Sequence, residues 1–142
     1  MYSKLLVGIQ FSLISAIVLY CKIPSFQWSS AVLFLLGGFI GIWALISMQI
    51  GNIRIQPIPK NNAKLITTGI YKTIRHPMYS SVILMMASFV ILKINFISIT
   101  IFLLLVITLF LKMFYEERLL EEKFPEYSAY KKQTRRLIPF IF

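Results

Sequence analysis

The sequence predicts an all-α, polytopic integral membrane protein with about four transmembrane helices. The first observation behind this prediction is composition: 58% of the 142 residues are hydrophobic and 14% are charged, against about 25% charged in a typical soluble domain. The second is a mean hydropathy of +0.77. The third is spacing, because the charges lie between apolar runs of about the 20 residues that a helix needs to cross a bilayer.

The composition also excludes several other classes of protein. A single cysteine excludes a disulfide scaffold, and one cysteine with one histidine cannot supply the four ligands of a structural zinc site. The chain has no aspartate and no Gly-x-Gly-x-x-Gly loop, which excludes paired-aspartate sites and soluble Rossmann enzymes. The net charge of +10 would suggest nucleic acid in a soluble protein. Here the basic residues separate apolar runs, so membrane topology explains them and no nucleic-acid partner is expected.

The first two predicted spans lie in the N-terminal part of the chain. Residues 5–21 carry no charge, and neither do residues 23–53, whose most apolar part is 31–50. Gly37 and Gly41 form a small-xxx-small pattern on the second span, which indicates close helix packing. The partner is either another span of the same chain or a second copy, so a homodimer through the Gly37/Gly41 face is one alternative.

The next predicted element is a helical hairpin of two spans, roughly 77–92 and 95–112. Between Arg75 and Lys112 the only formal charge is that of Lys93, which lies in a short break that fits a tight turn. The first arm is short, so the pair is expected to tilt or to leave one end shallow in the bilayer. The second arm is expected to continue as a helix beyond the membrane.

Lysine and arginine counts in the loops predict the orientation in the membrane. The two short connections carry one basic residue each, whereas the 51–76 loop carries five and the tail after the last span carries six. Loop, tail and both termini are therefore expected to be cytoplasmic. A site built by these two polar segments would open to the cytosol.

The first polar segment ends where the third span begins. Thr67-Thr68-Gly69 is a turn signal. His76 precedes Pro77, and a residue before proline is disfavoured in helical geometry, so the loop is expected to end there. Pro77 fits the first helical position, and the free N–H groups of a helix start form an anion site. The alternative is that Arg75 snorkels to lipid head groups and that Tyr71 and Tyr79 anchor the membrane interface. The side chains gathered at this helix start are Tyr71, Arg75, His76 and Tyr79.

The second polar segment, 112–130, contains all five acidic residues of the protein. Glu116 and Glu117 are expected within about one turn of the bilayer edge, where an acidic group is costly unless it is paired. They are therefore candidates for chemistry. The alternative is that they pair with Lys112 or with loop lysines and only hold the structure together.

Taken together, these motifs resemble the isoprenylcysteine carboxyl methyltransferase family, to which the phospholipid methyltransferases are related. The first motif reads Gly69-x-Tyr71-x-x-x-Arg75-His76-Pro77-x-Tyr79, and the second reads Glu116-Glu117-x-x-Leu120 followed by Phe124-Pro125-Glu126-Tyr127-x-x-Tyr130. The resemblance implies one membrane methyltransferase domain over 1–142. Two N-terminal spans would occupy 1–53, and the motif-bearing catalytic region would be 54–142.

The resemblance also implies S-adenosylmethionine (SAM) as the cofactor, bound on the cytosolic side. Lys112 falls where the family places a substrate-side arginine, so it is the implied substrate-binding residue. No metal is implied. The implied catalytic residues are Arg75, Glu116 and Glu117. The implied cofactor-binding residues are Gln56, Ala63, Lys64, Leu65, Ile66, Tyr71, His76, Pro77, Met78, Tyr79 and Glu116.

The function implied first is carboxyl O-methylation of an isoprenylcysteine-like or other lipophilic acceptor, with the lipid bilayer as the other partner. A carboxylate is already a nucleophile, whereas an amine must lose a proton, for which Glu116, Glu117 or His76 is a candidate base. N-methylation of a phospholipid or small amine is therefore an alternative. Two further alternatives are an NADPH-dependent enzyme similar to sterol reductases and a membrane protein without enzymatic activity.

Overall fold

The computed structural model describes residues 2–21, 27–48 and 65–139, which form five α-helices and one short 3-10 helix. No β-strand occurs in these ranges, so the all-α class is confirmed. The 3-10 helix is Gly69–Lys72. The α-helices are α1 (Tyr2–Tyr20), α2 (Trp28–Ser47), α3 (Pro77–Leu92), α4 (Phe96–Lys123) and α5 (Tyr127–Gln133).

Three of the described helices, α1, α2 and α4, are long and apolar enough to cross a membrane. Helix α3 is apolar but has 16 residues, which makes it about 24 Å long, whereas the hydrocarbon core of a bilayer is about 30 Å thick. Large apolar side chains such as Leu35, Ile46 and Ile107 are exposed on the helices, as expected for surfaces that face lipid. The membrane architecture is therefore supported, while the count of four spans stays a prediction.

The hairpin has the predicted start and turn because strong local signals mark both. Pro77 occupies the first turn of α3, where its missing N–H costs no hydrogen bond. Asn95 caps α4: its side chain accepts from the Ser98 N–H at 3.0 Å, and the Ser98 hydroxyl accepts from the Asn95 N–H at 3.1 Å. Helix α4 then runs for 28 residues, about 42 Å, so its predicted continuation beyond the membrane fits its length.

Helix α2 packs mainly on α3, and α1 packs mainly on α4. The Gly37/Gly41 face contacts α3: a Cβ on Gly37 would lie 3.0 Å from the Met85 nitrogen and the Ser81 carbonyl oxygen. The Ser81 hydroxyl donates to the Gly37 carbonyl oxygen at 2.7 Å. The structure thus shows the first alternative, close packing of α2 on another helix of the same chain. A homodimer through the Gly37/Gly41 face stays a prediction.

The buried apolar residues form two clusters at different places in the bundle. The larger cluster joins α1, α3 and α4 and includes Ile17, Leu105 and Met113. The smaller one joins α2 to the segment before α3 through Ala44 and Ile74. This second cluster fixes the polar loop against the bundle, and so positions the residues described next.

Candidate active site

The segment before α3 is held in place by backbone pairing with the tail. Arg75 N–H donates to the Arg135 carbonyl oxygen at 2.8 Å, and Arg135 N–H donates to the Thr73 carbonyl oxygen at 3.0 Å. His76 N–H donates to the Arg136 carbonyl oxygen at 3.0 Å. These bonds form an isolated parallel bridge between Ile74 and Arg135. The tail therefore fixes the residues that begin α3.

A glycine turn leads into this segment, at the predicted position. Gly69 has φ +60°, in the left-handed region that glycine adopts readily. A Cβ at Gly69 would lie 2.8 Å from the Ser47 Cβ, so a side chain there would collide with the end of α2. The 3-10 helix that begins at Gly69 buries Tyr71, and this predicted cofactor residue belongs to the smaller apolar cluster.

Glu117 is the centre of a buried ion-pair cluster. Its Oε1 lies 2.9 Å from Arg75 Nε and 3.4 Å from His76 Nε2, and its Oε2 lies 3.1 Å from Arg136 Nε. The Glu117 side chain is 5% exposed. A buried carboxylate is tolerated when it is paired and hydrogen-bonded in this way. Glu117 thus ties α4 to the loop and to the tail, and both of its oxygens are occupied.

Arg75 points into the protein rather than to the membrane surface. Its Nη1 donates to the Thr134 carbonyl oxygen at 2.6 Å, to the Thr134 hydroxyl at 3.1 Å and to the Lys131 carbonyl oxygen at 3.2 Å. Its side chain is 7% exposed. The alternative in which Arg75 snorkels to lipid head groups is therefore wrong. Its donors serve Glu117 and the end of α5.

Glu116 lies in a different environment from its neighbour. Its Oε2 accepts a hydrogen bond from the Tyr79 hydroxyl at 2.7 Å and lies 3.8 Å from His76 Nδ1. The His76 and Tyr79 rings stack with centroids 5.4 Å apart and planes 13° apart. The Glu116 side chain is 30% exposed, so this carboxylate is held on one side and accessible on the other.

Several buried polar atoms around the two glutamates lack a hydrogen-bond partner. In the described part of the chain these atoms are the Tyr71 hydroxyl, His76 Nε2, the Tyr127 hydroxyl and, away from the site, the Ser3 hydroxyl. Burial raises the pKa of Tyr71 and of Tyr127; the Glu116 carboxylate raises the pKa of Tyr71 further, and Glu117, more than Glu116, raises that of Tyr127. An unsatisfied buried group costs about 1–3 kcal/mol. His76 Nε2 faces Glu117 Oε1 at 3.4 Å, so the two tyrosine hydroxyls are the groups that indicate a place for a polar ligand.

Lys112 lies one turn before Glu116 on α4 and is also buried. Its Nζ donates to Gln10 Oε1 of α1 at 2.7 Å and lies 5.5 Å from the centre of the Tyr79 ring. The sequence reasoning did not select Gln10. An amide inside an otherwise apolar span was the signal that could have identified it.

The remaining predicted site residues fall into four groups. Pro77 is buried at the start of α3. Ile66 and Met78 pack against the smaller apolar cluster with Tyr71, so they shape the site from the α2 side. Leu65 lines a separate open groove of about 660 Å³ between the loop and α5. Gln56, Ala63 and Lys64 lie outside the described residues.

The groove and the glutamates are separated by residues of α5 and its C-terminal end. Tyr130 and Thr134 line the groove, while Thr134 also accepts from Arg75. The Tyr130 hydroxyl donates to the Tyr71 carbonyl oxygen at 2.6 Å, and burial raises the pKa of Tyr130 to about 12. Neither Glu116 nor Glu117 lines the groove, so the groove is distinct from the cluster around Glu116.

Comparison with known proteins gives one family. The model of the phospholipid methyltransferase family matches residues 26–127, which include α2, α3, the two glutamates and Lys112. No curated protein matches the chain. The match covers well over half of the sequence, and it includes the helix start and the acidic pair that the fold brings together. The chain belongs to the phospholipid methyltransferase family and is a membrane methyltransferase.

Proposed function

We propose that the protein is a SAM-dependent methyltransferase whose cofactor binds at the candidate active site, defined here as Arg75, His76, Tyr79, Glu116 and Glu117. The observation that carries the proposal is the meeting of the α3 start with the acidic pair of α4. These groups are 37 to 42 residues apart in the chain and are joined by direct hydrogen bonds.

The donors and acceptors at the site fit the chemistry of SAM. The accessible side of Glu116 suits an ammonium group or ribose hydroxyls. The unpartnered hydroxyls of Tyr71 and Tyr127 are donors that suit a carboxylate. The stacked rings of His76 and Tyr79 offer a flat surface for an aromatic base. When bound, SAM supplies an electrophilic methyl group.

We propose different roles for the two glutamates. Glu117 has both oxygens engaged by cationic side chains, so we assign it to positioning of Arg75, His76 and the tail. Glu116 retains accessible surface, so we assign it to contact with the ligand. Arg75 is likewise assigned to positioning, since its donors are used within the protein.

The acceptor that we propose first is a lipophilic carboxylate, which would be O-methylated. Lys112 places a buried ammonium beside Tyr79, where it can hold an anionic group. A carboxylate needs no base, and the site then has only to align it with the methyl group and to exclude water. The exposed apolar surfaces of the helices allow a lipophilic acceptor to arrive through the bilayer.

N-methylation of an aminophospholipid is a second candidate, and the family match favours it. In this reaction Lys112 would hold the phosphate, and Glu116 would take the proton of the amine. Both reactions use the same cofactor residues, and they differ in which head group is methylated.

We also propose that the site faces the cytosol. The hairpin tip lies beside the end of α1, because Lys93 Nζ donates to the Tyr20 carbonyl oxygen at 3.2 Å. The active site lies at the opposite end of α3, so α3 and α4 traverse the same depth in opposite directions. If α4 crosses the bilayer, the 16 residues of α3 cover most of the same depth. The lysine and arginine count then places the site on the cytoplasmic side.

The direct test is titration of labelled SAM into detergent-solubilised protein. We expect Glu116→Ala and His76→Ala each to weaken SAM binding about tenfold or more, as loss of a charged or buried polar contact would, while both variants stay folded. Glu122→Ala is the matched control, since Glu122 is exposed on the same helix. Wild-type affinity in both site variants would contradict the proposal, and tight NADPH binding would favour the reductase alternative.

The acceptor is identified by methyl-labelled products. The protein is incubated with labelled SAM and either N-acetyl-S-farnesylcysteine in detergent or phosphatidylethanolamine vesicles. A labelled methyl ester supports O-methylation, and a labelled N-methyl lipid supports the second candidate. Mass spectrometry of the two extracts distinguishes these products.

A further inference from the structure

Helix α1 has one polar side chain at the middle of its buried face. The buried residues of this helix include Leu6, Gln10 and Ile17, which share a face at helical spacing. Gln10 is 7% exposed and lies within the apolar segment Ser3–Tyr20. An amide at such a position is expensive unless it is hydrogen-bonded. The hydrogen-bond partner of the Gln10 amide therefore indicates the role of this residue.

The partner is the ammonium group of Lys112, which is itself 4% exposed. An ammonium group has three N–H donors, and within the described ranges one of them is used, in the 2.7 Å bond to Gln10. No carboxylate of the described residues forms an ion pair with Lys112. A buried cation that makes no direct ion pair with the described residues attracts an anion. The nearby Glu116 is bonded instead to Tyr79.

We propose that Gln10 is a positioning residue for the methyl acceptor. Its amide oxygen holds the Lys112 ammonium beside the Tyr79 ring, and there the ammonium recognises an anionic group of the acceptor, a carboxylate or a phosphate. Without this bond the long lysine side chain would be free to turn toward the membrane surface. The inference rests on the proposed function, and it assigns acceptor recognition partly to α1, which precedes the residues 26–127 that match the family.

The test is a double-mutant cycle on Gln10→Leu and Lys112→Met, read by binding of defined amphiphiles in detergent micelles. The probes are N-acetyl-S-farnesylcysteine, its neutral methyl ester, and phosphatidylethanolamine. We expect Gln10→Leu to weaken binding of the anionic probe about tenfold and to leave SAM affinity unchanged. In the Lys112→Met background, Gln10→Leu should cause no further loss. Ser12→Leu, on the exposed face of α1, is the matched control.

A second variant separates positioning from simple packing. Gln10→Glu keeps an acceptor oxygen for Lys112 but also gives the ammonium an ion-pair partner. N-acetyl-S-farnesylcysteine should therefore bind more weakly, while its methyl ester binds as to wild type. A purely structural role predicts that Gln10→Glu behaves as wild type toward every probe.

Three results would overturn the inference. They are an equal loss from Gln10→Leu in both backgrounds, unchanged binding in Gln10→Leu, and failure of both N-acetyl-S-farnesylcysteine and phosphatidylethanolamine to bind wild-type protein that does bind SAM. Loss of SAM binding by the wild-type protein is a separate result, and it would count against the proposed function rather than against the Gln10–Lys112 contact.

Discussion

At the scale of single residues, Glu116 and Glu117 show how one helical step changes the surroundings of a carboxylate. Successive residues on a helix point about 100° apart, so the two side chains enter different surroundings. Glu117 turns inward to Arg75 and Arg136, and Glu116 turns toward Tyr79 and the accessible side of the site. Their adjacency in the sequence gives no sign of this division.

We predict that Glu117→Gln destabilises the protein and Glu116→Gln does not. In Glu117→Gln two arginines lose their counter-charge, at a cost of about 3 kcal/mol for a buried ion pair broken on one side. Glu116→Gln keeps an acceptor for the Tyr79 hydroxyl, so its stability should remain close to wild type while its SAM affinity falls.

Thermal unfolding in detergent measures the first effect, and titration of labelled SAM measures the second. The two variants serve as controls for each other, because both remove one negative charge from the same turn of α4. Equal unfolding temperatures for the two variants would contradict the assignment of Glu117 to positioning.

At the scale of elements, the close packing of α2 on α3 depends on one side of a glycine pair. Gly37 faces the backbone of α3, whereas a Cβ on the adjacent Gly38 would meet nothing within 4 Å. Alanine therefore adds the same methyl group at both positions, against α3 at position 37 and into open space at position 38.

We predict that Gly37→Ala destabilises the protein by about 1–3 kcal/mol, the usual range for overpacking, and that Gly38→Ala does not. The new methyl group at position 37 must push α2 away from Ser81 and Met85. The unfolding midpoint in one detergent, measured for both variants, tests this difference. A lower midpoint for Gly38→Ala than for Gly37→Ala would show that the α2–α3 contact is not the sensitive one.

The start and turn of the hairpin could be predicted from the sequence because local signals mark them. Pro77 starts α3, and Asn95 with Ser98 caps α4. The pairing of the tail with the segment before α3 could not be predicted in this way. It consists of a single bridge between Ile74 and Arg135, and one bridge leaves no periodic pattern in the sequence.

At the scale of the whole molecule, the meeting of the histidine segment with the acidic pair was predicted, but the residues that complete the site were not. In the sequence, Arg136 is one of six basic residues of the tail, and Gln10 is part of an apolar run. Both act through contacts with distant segments, Gln10 with a residue 102 positions away. Such contacts follow from the packing of the helices, which composition and spacing do not specify.

The topology gives a prediction about the two ends of the hairpin. In a Cys21→Ser background, we expect Ile94→Cys to react with a membrane-impermeant maleimide from outside the cell and Ser128→Cys to react only after permeabilisation. Both positions are exposed in the structure. Cys21 is the only cysteine of the sequence, so each variant carries a single thiol.

The cytoplasmic placement of the site rests on this pair of measurements. Reaction of both cysteines from the same side would contradict a hairpin that crosses the bilayer. Reaction of Ser128→Cys from outside and of Ile94→Cys from inside would invert the proposed orientation.

The contact between α1 and α4 has a consequence for how the protein is made. During synthesis at the membrane, α1 leaves the ribosome long before α4, so the Gln10 amide enters the lipid phase while its partner has not yet been translated. Until α4 is inserted, the Gln10 amide lacks the Lys112 ammonium, and an amide without a hydrogen-bond partner is costly in an apolar environment. Slowing translation between these two helices should therefore expose the nascent chain to membrane quality-control proteases.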